Sequence, residues 1–282
     1  MTIASIGEIL WDVYPTYSHL GGAPFNFAAH AQRLGHRVLF LSAVGDDQRG
    51  AAALKKAAAL GLDTQFIQVI TGKPTGHVSV WLDAAGQPDF TIHRPAAYDF
   101  LRLDDAQLAR IAALRPEWIY YGTLYQMDPL ARCQVRRLME ALPFARRFYD
   151  VNLRRGSYTP DLVRESIALA HAVKLNDAEA ETFPDFHAAW AVAVTHGARG
   201  CDVRIGDRRA ACPGYPVIAT DTVGAGDAFA AAFLHGIAQG WSAQRTGDMA
   251  NRLGALVASR SGAVPEWTLA ELEAFTSQNF SA

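Results

Sequence analysis

The seven residues DTVGAGD, Asp221 to Asp227, set two glycines between two aspartates just before the apolar run AFAAAFLHG. Glycine accepts backbone angles that other residues resist, so the amides between Val223 and Asp227 can converge on one concavity. A helix starting at Ala225 adds free N–H groups and a positive dipole end, making an anion cradle of Gly224, Ala225 and Gly226. A carboxylate beside such a cradle repels phosphate unless it has a task. For Asp227 the natural one is general base, taking the proton of an attacking hydroxyl while the amides absorb charge on the transferred phosphoryl group. Losing one donor of such a hole costs on the order of 3 kcal/mol in the barrier. The same letters also fit a glycine-permitted turn whose aspartate caps a helix.

Further candidates stand elsewhere in the chain. In LGGAPFNFAAHAQRL, Leu20 to Leu34, a Gly pair again precedes a helix, with Asn26 on its first turn and Asp12 upstream. Asp12, Asn26 and the Gly21–Gly22 backbone together offer the directed donors and acceptors that a sugar requires, although a Gly pair before a helix is ordinary by itself. In YDVNLR, Asp150, Asn152 and Arg154 alternate off a strand end and so share one face, with Arg154 able to reach phosphates or to form a structural ion pair. Asn176 and Glu179 have the spacing of a helix-capping box. Trp11, Tyr14, Tyr17 and Trp81 are suited to stacking on a sugar, to flap packing or to a second subunit. The nine histidines contain no HxxxH pair, and His30 reads as packed or exposed rather than as a ligand.

Strands alternating with helices must position these groups. Residues 3–6, 37–44, 118–121, 147–151, 173–175 and 191–195 are short apolar runs of the kind buried on both faces of a sheet. Between them lie helical stretches at 24–34, 49–60, 104–114, 129–142 and 161–171; the first has Pro24 at its start and Gly35 just past its end. This order predicts one α/β domain over residues 1–282, a three-layer α/β/α sandwich around a mostly parallel sheet, with ligands gathered outside the carboxyl ends of the strands. Residues 76–94 break the alternation and read as two strands around a Gly and Pro turn, which with 11–20 would form a small β flap or lid. A second hairpin spans 201–212, and helices near 225–239, 243–260 and 269–278 close the chain.

Composition narrows the classes. A chain of 282 residues, 50% hydrophobic and 19% charged, suits one large domain, and a net charge of -2 argues against nucleic-acid binding by bulk electrostatics despite four Arg pairs. Cys133, Cys201 and Cys212 are odd in number and lack a CxxC spacing, which favours a reduced, cytoplasmic setting over a disulfide framework or zinc site. The start MTIASIGEIL has no basic leader, and no apolar run approaches membrane-spanning length, so a soluble, unprocessed chain with no membrane partner is expected.

Eight stretches in order, GEILWDVYP, LGGAPFNFAAHAQRLG, SAVGDD, HRPAAYDFL, YDVNLR, KLNDAE, VTHGARG and DTVGAGDAFAAAFLHG, resemble the ribokinase-like, or PfkB, carbohydrate kinases, and among them the bacterial fructokinase-like branch. The resemblance implies the ribokinase-like fold, Asp227 as the base that deprotonates a sugar hydroxyl, and Gly224, Ala225 and Gly226 as the hole for the transferring phosphate. It implies Asp12, Gly22 and Asn26 as sugar ligands with Gly21 and Asp46 nearby, and Arg94 facing the substrate or left as a surface Arg after a strand. Toward ATP it implies Arg154, Asn176, Thr195, Gly197, Gly200, Asn251 and Ala255, and it associates Glu179 with Mg2+ through water. Asp221 and the carbonyls of Val223, Ser259 and Gly262 become candidate ligands of a monovalent cation such as K+.

From 179 to 190 the chain is shorter than in relatives, which predicts a thinner wall on the nucleotide side. The expected reaction is ATP-dependent phosphorylation of a primary hydroxyl, D-fructose to fructose 6-phosphate. The alternatives are 2-keto-3-deoxygluconate or another ketose, then a nucleoside, then a catalytically silent sugar-binding regulator; a homodimer is a candidate assembly. A dinucleotide oxidoreductase is excluded because no GxGxxG follows the first strand.

Overall fold

A computed structural model describes residues 1–82 and 88–275. Its larger sheet runs in the order β13-β12-β11-β10-β9-β8-β1-β4-β5. Seven strands are mutually parallel: β1 (Thr2–Ile6), β4 (Arg37–Gly45), β5 (Ile67–Ile70), β8 (Trp118–Gly122), β9 (Arg146–Asp150), β10 (Ala172–Asn176) and β11 (Ala191–Thr195). The hairpin β12 (Gly200–Ile205) and β13 (Arg208–Pro213) extends one edge antiparallel.

The central strands are apolar on both faces because both faces are covered. Along β4, Val38 and Phe40 enter one core with β1 Ile3, while Leu39 and Leu41 enter the other with Ile6. The first core is closed by α1 (Ala23–Arg33), α2 (Gln48–Ala59), α7 (Ala225–Ala238), α8 (Ala243–Ala258) and α9 (Leu269–Ala274). On the opposite face lie α3 (Asp105–Ala113), α4 (Pro129–Ala141), α5 (Pro160–Leu169) and α6 (Asp177–Thr182). This is the expected α/β architecture of a mostly parallel sheet flanked by helices. No helix of the described residues is long and apolar enough to cross a membrane.

A second sheet of four strands has the order β3-β2-β6-β7, from β2 (Leu10–Val13), β3 (Ser18–Gly21), β6 (Gly76–Leu82) and β7 (Pro88–His93). It joins the 11–20 and 76–94 stretches read from sequence, and the parallel pairing of β2 with β6 links them. The Gly and Pro turn expected between β6 and β7, and the last residues of the helix expected at 269–278, fall at least partly outside the described residues. The parallel strand β5 was not anticipated, because IQVI is short and interrupted by Gln68.

Candidate active site

A cavity of about 400 Å³ opens between the small sheet and the amino ends of α1 and α7. Its walls include Glu8, Asp12, Gly22, Asn26, Asn152, Arg154, Gly224, Gly226 and Asp227, with Val78, Phe90 and Ile92 from the small sheet.

Two glycine turns shape it. Gly224 caps α7 with φ 80, in the left-handed region, and a Cβ there would lie 2.4 Å from the Ala263 carbonyl oxygen. Gly22 caps α1 with φ 105, and a Cβ there would lie 2.6 Å from the Glu8 carbonyl. Only glycine meets both demands at either place. The body of α7 is buried nearly all round, from Ala228 through Leu234, which fixes its first turn against the sheet.

Asp227 sits on that first turn, 6% exposed. The Asn26 side-chain amide donates to Asp227 Oδ2 at 2.8 Å across 201 residues of sequence. Burial pushes the Asp227 carboxyl up to about 7 and the charge of Asp150 adds to this; the Asn26 hydrogen bond, Lys174 and Arg154 pull the other way. Asp12 is pushed up to about 6, again mainly by burial, with Arg154 opposing and Asp221 reinforcing the rise. A Cβ on Gly21 would lie 2.9 Å from Asp12 Oδ2, so Gly21 borders the same acid.

Beneath the cavity runs a buried polar chain. Lys174 Nζ donates to Asp150 Oδ1 at 2.9 Å, and the Tyr120 hydroxyl donates to Asp150 Oδ2 at 2.9 Å. Burial alone would lower the Lys174 ammonium, but the carboxylates of Asp150, Glu179 and Asp227 raise it above its usual value, so it stays charged. It also lies close under the glycine turn, 3.4 Å from where a Cβ on Gly226 would stand. Asp150 is thus committed to a buried ion pair, whereas Asn152 and Arg154 line the cavity. Asn152 has φ 38, and its Oδ1 accepts from Arg154 Nη1 at 2.7 Å.

Other expected groups lie apart from the cavity or are occupied. Asp46 is exposed and accepts from the Gly72 amide at 3.0 Å. The Arg94 guanidinium is paired with Asp99 and donates to the Leu124 carbonyl at 2.7 Å. Asn176 and Glu179 form the capping box: Glu179 Oε2 accepts from the Asn176 amide, while Oε1 accepts from Leu153 N at 2.7 Å. Thr195 is the register partner of Asn176 at the carboxyl ends of β11 and β10. Gly197 and Gly200 follow with φ of 59 and 110. On α8, the Asn251 amide donates to the Cys212 and Pro213 carbonyls, and partly buried Ala255 lies one turn further on. Asp221 accepts from the amides of Val223 and Gly262, and the Ser259 carbonyl accepts from the Thr220 hydroxyl, so these four residues meet at one loop junction.

Two charged groups of the cavity wall and floor, Glu8 and Lys174, carry no motif of their own in the sequence. Each is a lone ionisable residue in or beside an apolar run, and only the folded pairing reveals what it faces.

Comparison with known proteins bears on this arrangement. The model for the pfkB family of carbohydrate kinases matches residues 15–269. Fructokinase-1 of Oryza sativa subsp. japonica is 30% identical, the match covering 93% of each chain. The fructokinase of Klebsiella pneumoniae is 30% identical over 77% of this chain and 76% of its own. Among solved structures, an uncharacterized sugar kinase from Pyrococcus horikoshii in complex with ATP superposes with TM-score 0.82 at 26% identity, covering 98% of both chains.

Proposed function

The chain belongs to the pfkB family of carbohydrate kinases, and from that premise we propose that it transfers the γ-phosphate of ATP to a primary hydroxyl of D-fructose, giving fructose 6-phosphate. The observation that carries this reading is the position of Asp227: buried, at the amino end of α7, hydrogen-bonded to Asn26 and facing a cavity also lined by Asp12 and Gly22.

Asp227 acts as general base. A carboxyl held near 7 is half ionised at neutral pH and accepts the proton of the attacking hydroxyl as the new P–O bond forms. Asn26 orients its Oδ2. The amides of Gly224 and Gly226 at the amino end of α7 receive charge that develops on the transferring group, that of Ala225 joins them on releasing its 3.3 Å bond to the Thr222 carbonyl, and buried Lys174 supplies positive potential from below. Arg154, exposed at the cavity rim, reaches the phosphates. Asp12, Gly21, Gly22 and Asn26 hold the sugar, the small sheet serves as a lid over a single kinase domain, and the turn after β11 with α8 receives the nucleotide.

The residues present fit magnesium held mainly by phosphates and water. Among the described residues no three His, Cys, Asp or Glu form a metal cluster, and both Glu179 oxygens already accept a backbone N–H, which leaves Glu179 to act through water. When bound, the ion neutralises phosphate charge. The loop junction of Asp221, Val223, Ser259 and Gly262, held together by backbone N–H donation to both Asp221 oxygens, is where a monovalent cation would sit.

The test is ATP-dependent turnover by the purified protein with magnesium and a panel of hexoses, pentoses, nucleosides and sugar acids. Fructose is expected to give the highest kcat/KM. A preference for 2-keto-3-deoxygluconate or a nucleoside would replace the acceptor while keeping the chemistry, and no turnover with any acceptor would overturn the reading.

A further inference from the structure

Glu8 follows β1 and is 3% exposed on the cavity wall. Backbone amides of Glu8 itself and of Ala23, the first residue of α1, act on its carboxylate. Its Oε2, fully enclosed, has no hydrogen-bond partner in the protein. The other enclosed orphan on this wall is Asn26 Oδ1, also an acceptor. A buried polar atom without a partner costs on the order of 1–3 kcal/mol, more when charged, so two such acceptors on residues that line one cavity indicate a ligand that brings donors as the wall adjusts around it.

The charges around Glu8 narrow the ligand further. Burial raises the Glu8 carboxyl above its usual range, while the amides, Arg154 and Arg94 oppose the rise. Arg94 is committed to Asp99 and the Leu124 carbonyl, and Arg154 bonds the Asn152 side chain at the rim. Among the described residues lining the cavity, three carboxyl groups, Glu8, Asp12 and Asp227, face one guanidinium, Arg154. A hydroxyl donates to either orphan acceptor, and it also accepts if Glu8 is protonated; a ligand carboxylate can donate to neither.

Building on the reading of the chain as a sugar kinase, we propose that Glu8 is a specificity-determining residue: with Asn26 Oδ1 it receives hydroxyl groups of a neutral polyhydroxylated acceptor and disfavours an acceptor carrying a carboxylate. Glu8 performs no proton transfer to the reacting oxygen, which belongs to Asp227. Its signature is therefore in KM and in the choice of acceptor, with kcat less affected.

The experiment compares wild type, Glu8→Gln and Glu8→Ala with fructose and 2-keto-3-deoxygluconate as acceptors, alongside the thermal midpoint of each protein without ligand. Loss of a hydrogen bond to a buried carboxylate predicts a rise in KM for fructose of about tenfold or more, a smaller change in kcat, and a fall of similar size in the neutral-over-acid selectivity. A folded Glu8→Gln protein with KM within about twofold of wild type, or with unchanged selectivity, would overturn the proposal. If wild type turned over neither acceptor, the assigned reaction would fall separately. Sugar-dependent thermal stabilisation then decides the role of Glu8: stabilisation by fructose that Glu8→Gln abolishes upholds it, and no difference between the proteins overturns it.

Discussion

Two helix entrances meet at this cavity and are built alike, yet they are used differently. Both α1 and α7 begin at a left-handed glycine and have no side-chain cap. The other seven α-helices described all take a side-chain oxygen at their entrance, from Asp47, Asp104, Asp128, Thr159, Asn176, Ser242 and Thr268. The entrance of α1 lies against a buried carboxyl side chain of the protein itself, Glu8, whose Cγ would be 3.3 Å from a Cβ on Gly22. At α7 no side-chain oxygen takes that place, and the acid of the first turn, Asp227, is turned toward Asn26. One pocket can thereby receive two partners of unlike chemistry: the helix entrance beside an internal carboxyl presents acceptors to hydroxyls, while the one with no side-chain partner presents N–H groups to a ligand anion.

Substitution of Asp227 is expected to have the greatest effect on the α7 entrance. Asp227→Asn is expected to lower kcat about 10³-fold while sugar affinity, read by calorimetry, changes little; a fully active variant would show that Asp227 is not the base. The same variant should gain stability. The folded-state value of about 7 lies above that of a free carboxyl, so the stability tied to Asp227 is fully present below about pH 4 and is lost as pH rises through about 7. Asp227→Asn should therefore melt a few degrees above wild type at pH 8, with the gap closing toward pH 5.

Next come the glycines. Gly224→Ala drives a methyl against the Ala263 carbonyl and should cost about 1–3 kcal/mol of stability together with about 10²-fold in kcat. Gly22→Ala meets the Glu8 carbonyl and carries a comparable stability cost, but its kinetic effect should appear in the KM for sugar. Equal kinetic signatures for the two would erase the distinction between the entrances. The smallest effect is a titration: kcat/KM should rise with pH through an inflection near 7, and Asn26→Ala, by deleting a hydrogen bond that favours the charged form, should move the inflection upward by about one unit.

The alternation of β-strands and helices, both glycine turns and the capping box of Asn176 and Glu179 were legible because each is written in short-range spacing. Less legible was anything settled by pairing across the fold. Lys174 reads as a lone cation in VKLN, yet it is buried through Asp150 on the neighbouring strand. Glu8 reads as a polar break between Ile6 and Ile9, and its orphaned oxygen appears only when α1 and the small sheet close around it. Arg94 is ion-paired with Asp99 five residues on, and Asp46 accepts from the Gly72 amide, contacts that motif position alone does not show. Strand β5 escaped because four residues with one glutamine carry too little periodicity to separate them from a loop.

The buried pair of Lys174 and Asp150 sets how the site responds to ionic strength. Mobile ions screen exposed charges over about 8 Å at physiological salt but cannot enter the space beneath the glycine turn. Potential contributed from the floor is therefore constant across buffers, whereas that of exposed Arg154 fades as salt is added. Rising salt should weaken the capture of nucleotide at the rim and raise the titration of Asp227 only by the small part that Arg154 supplies, so the two halves of the reaction can be separated with nothing more than sodium chloride.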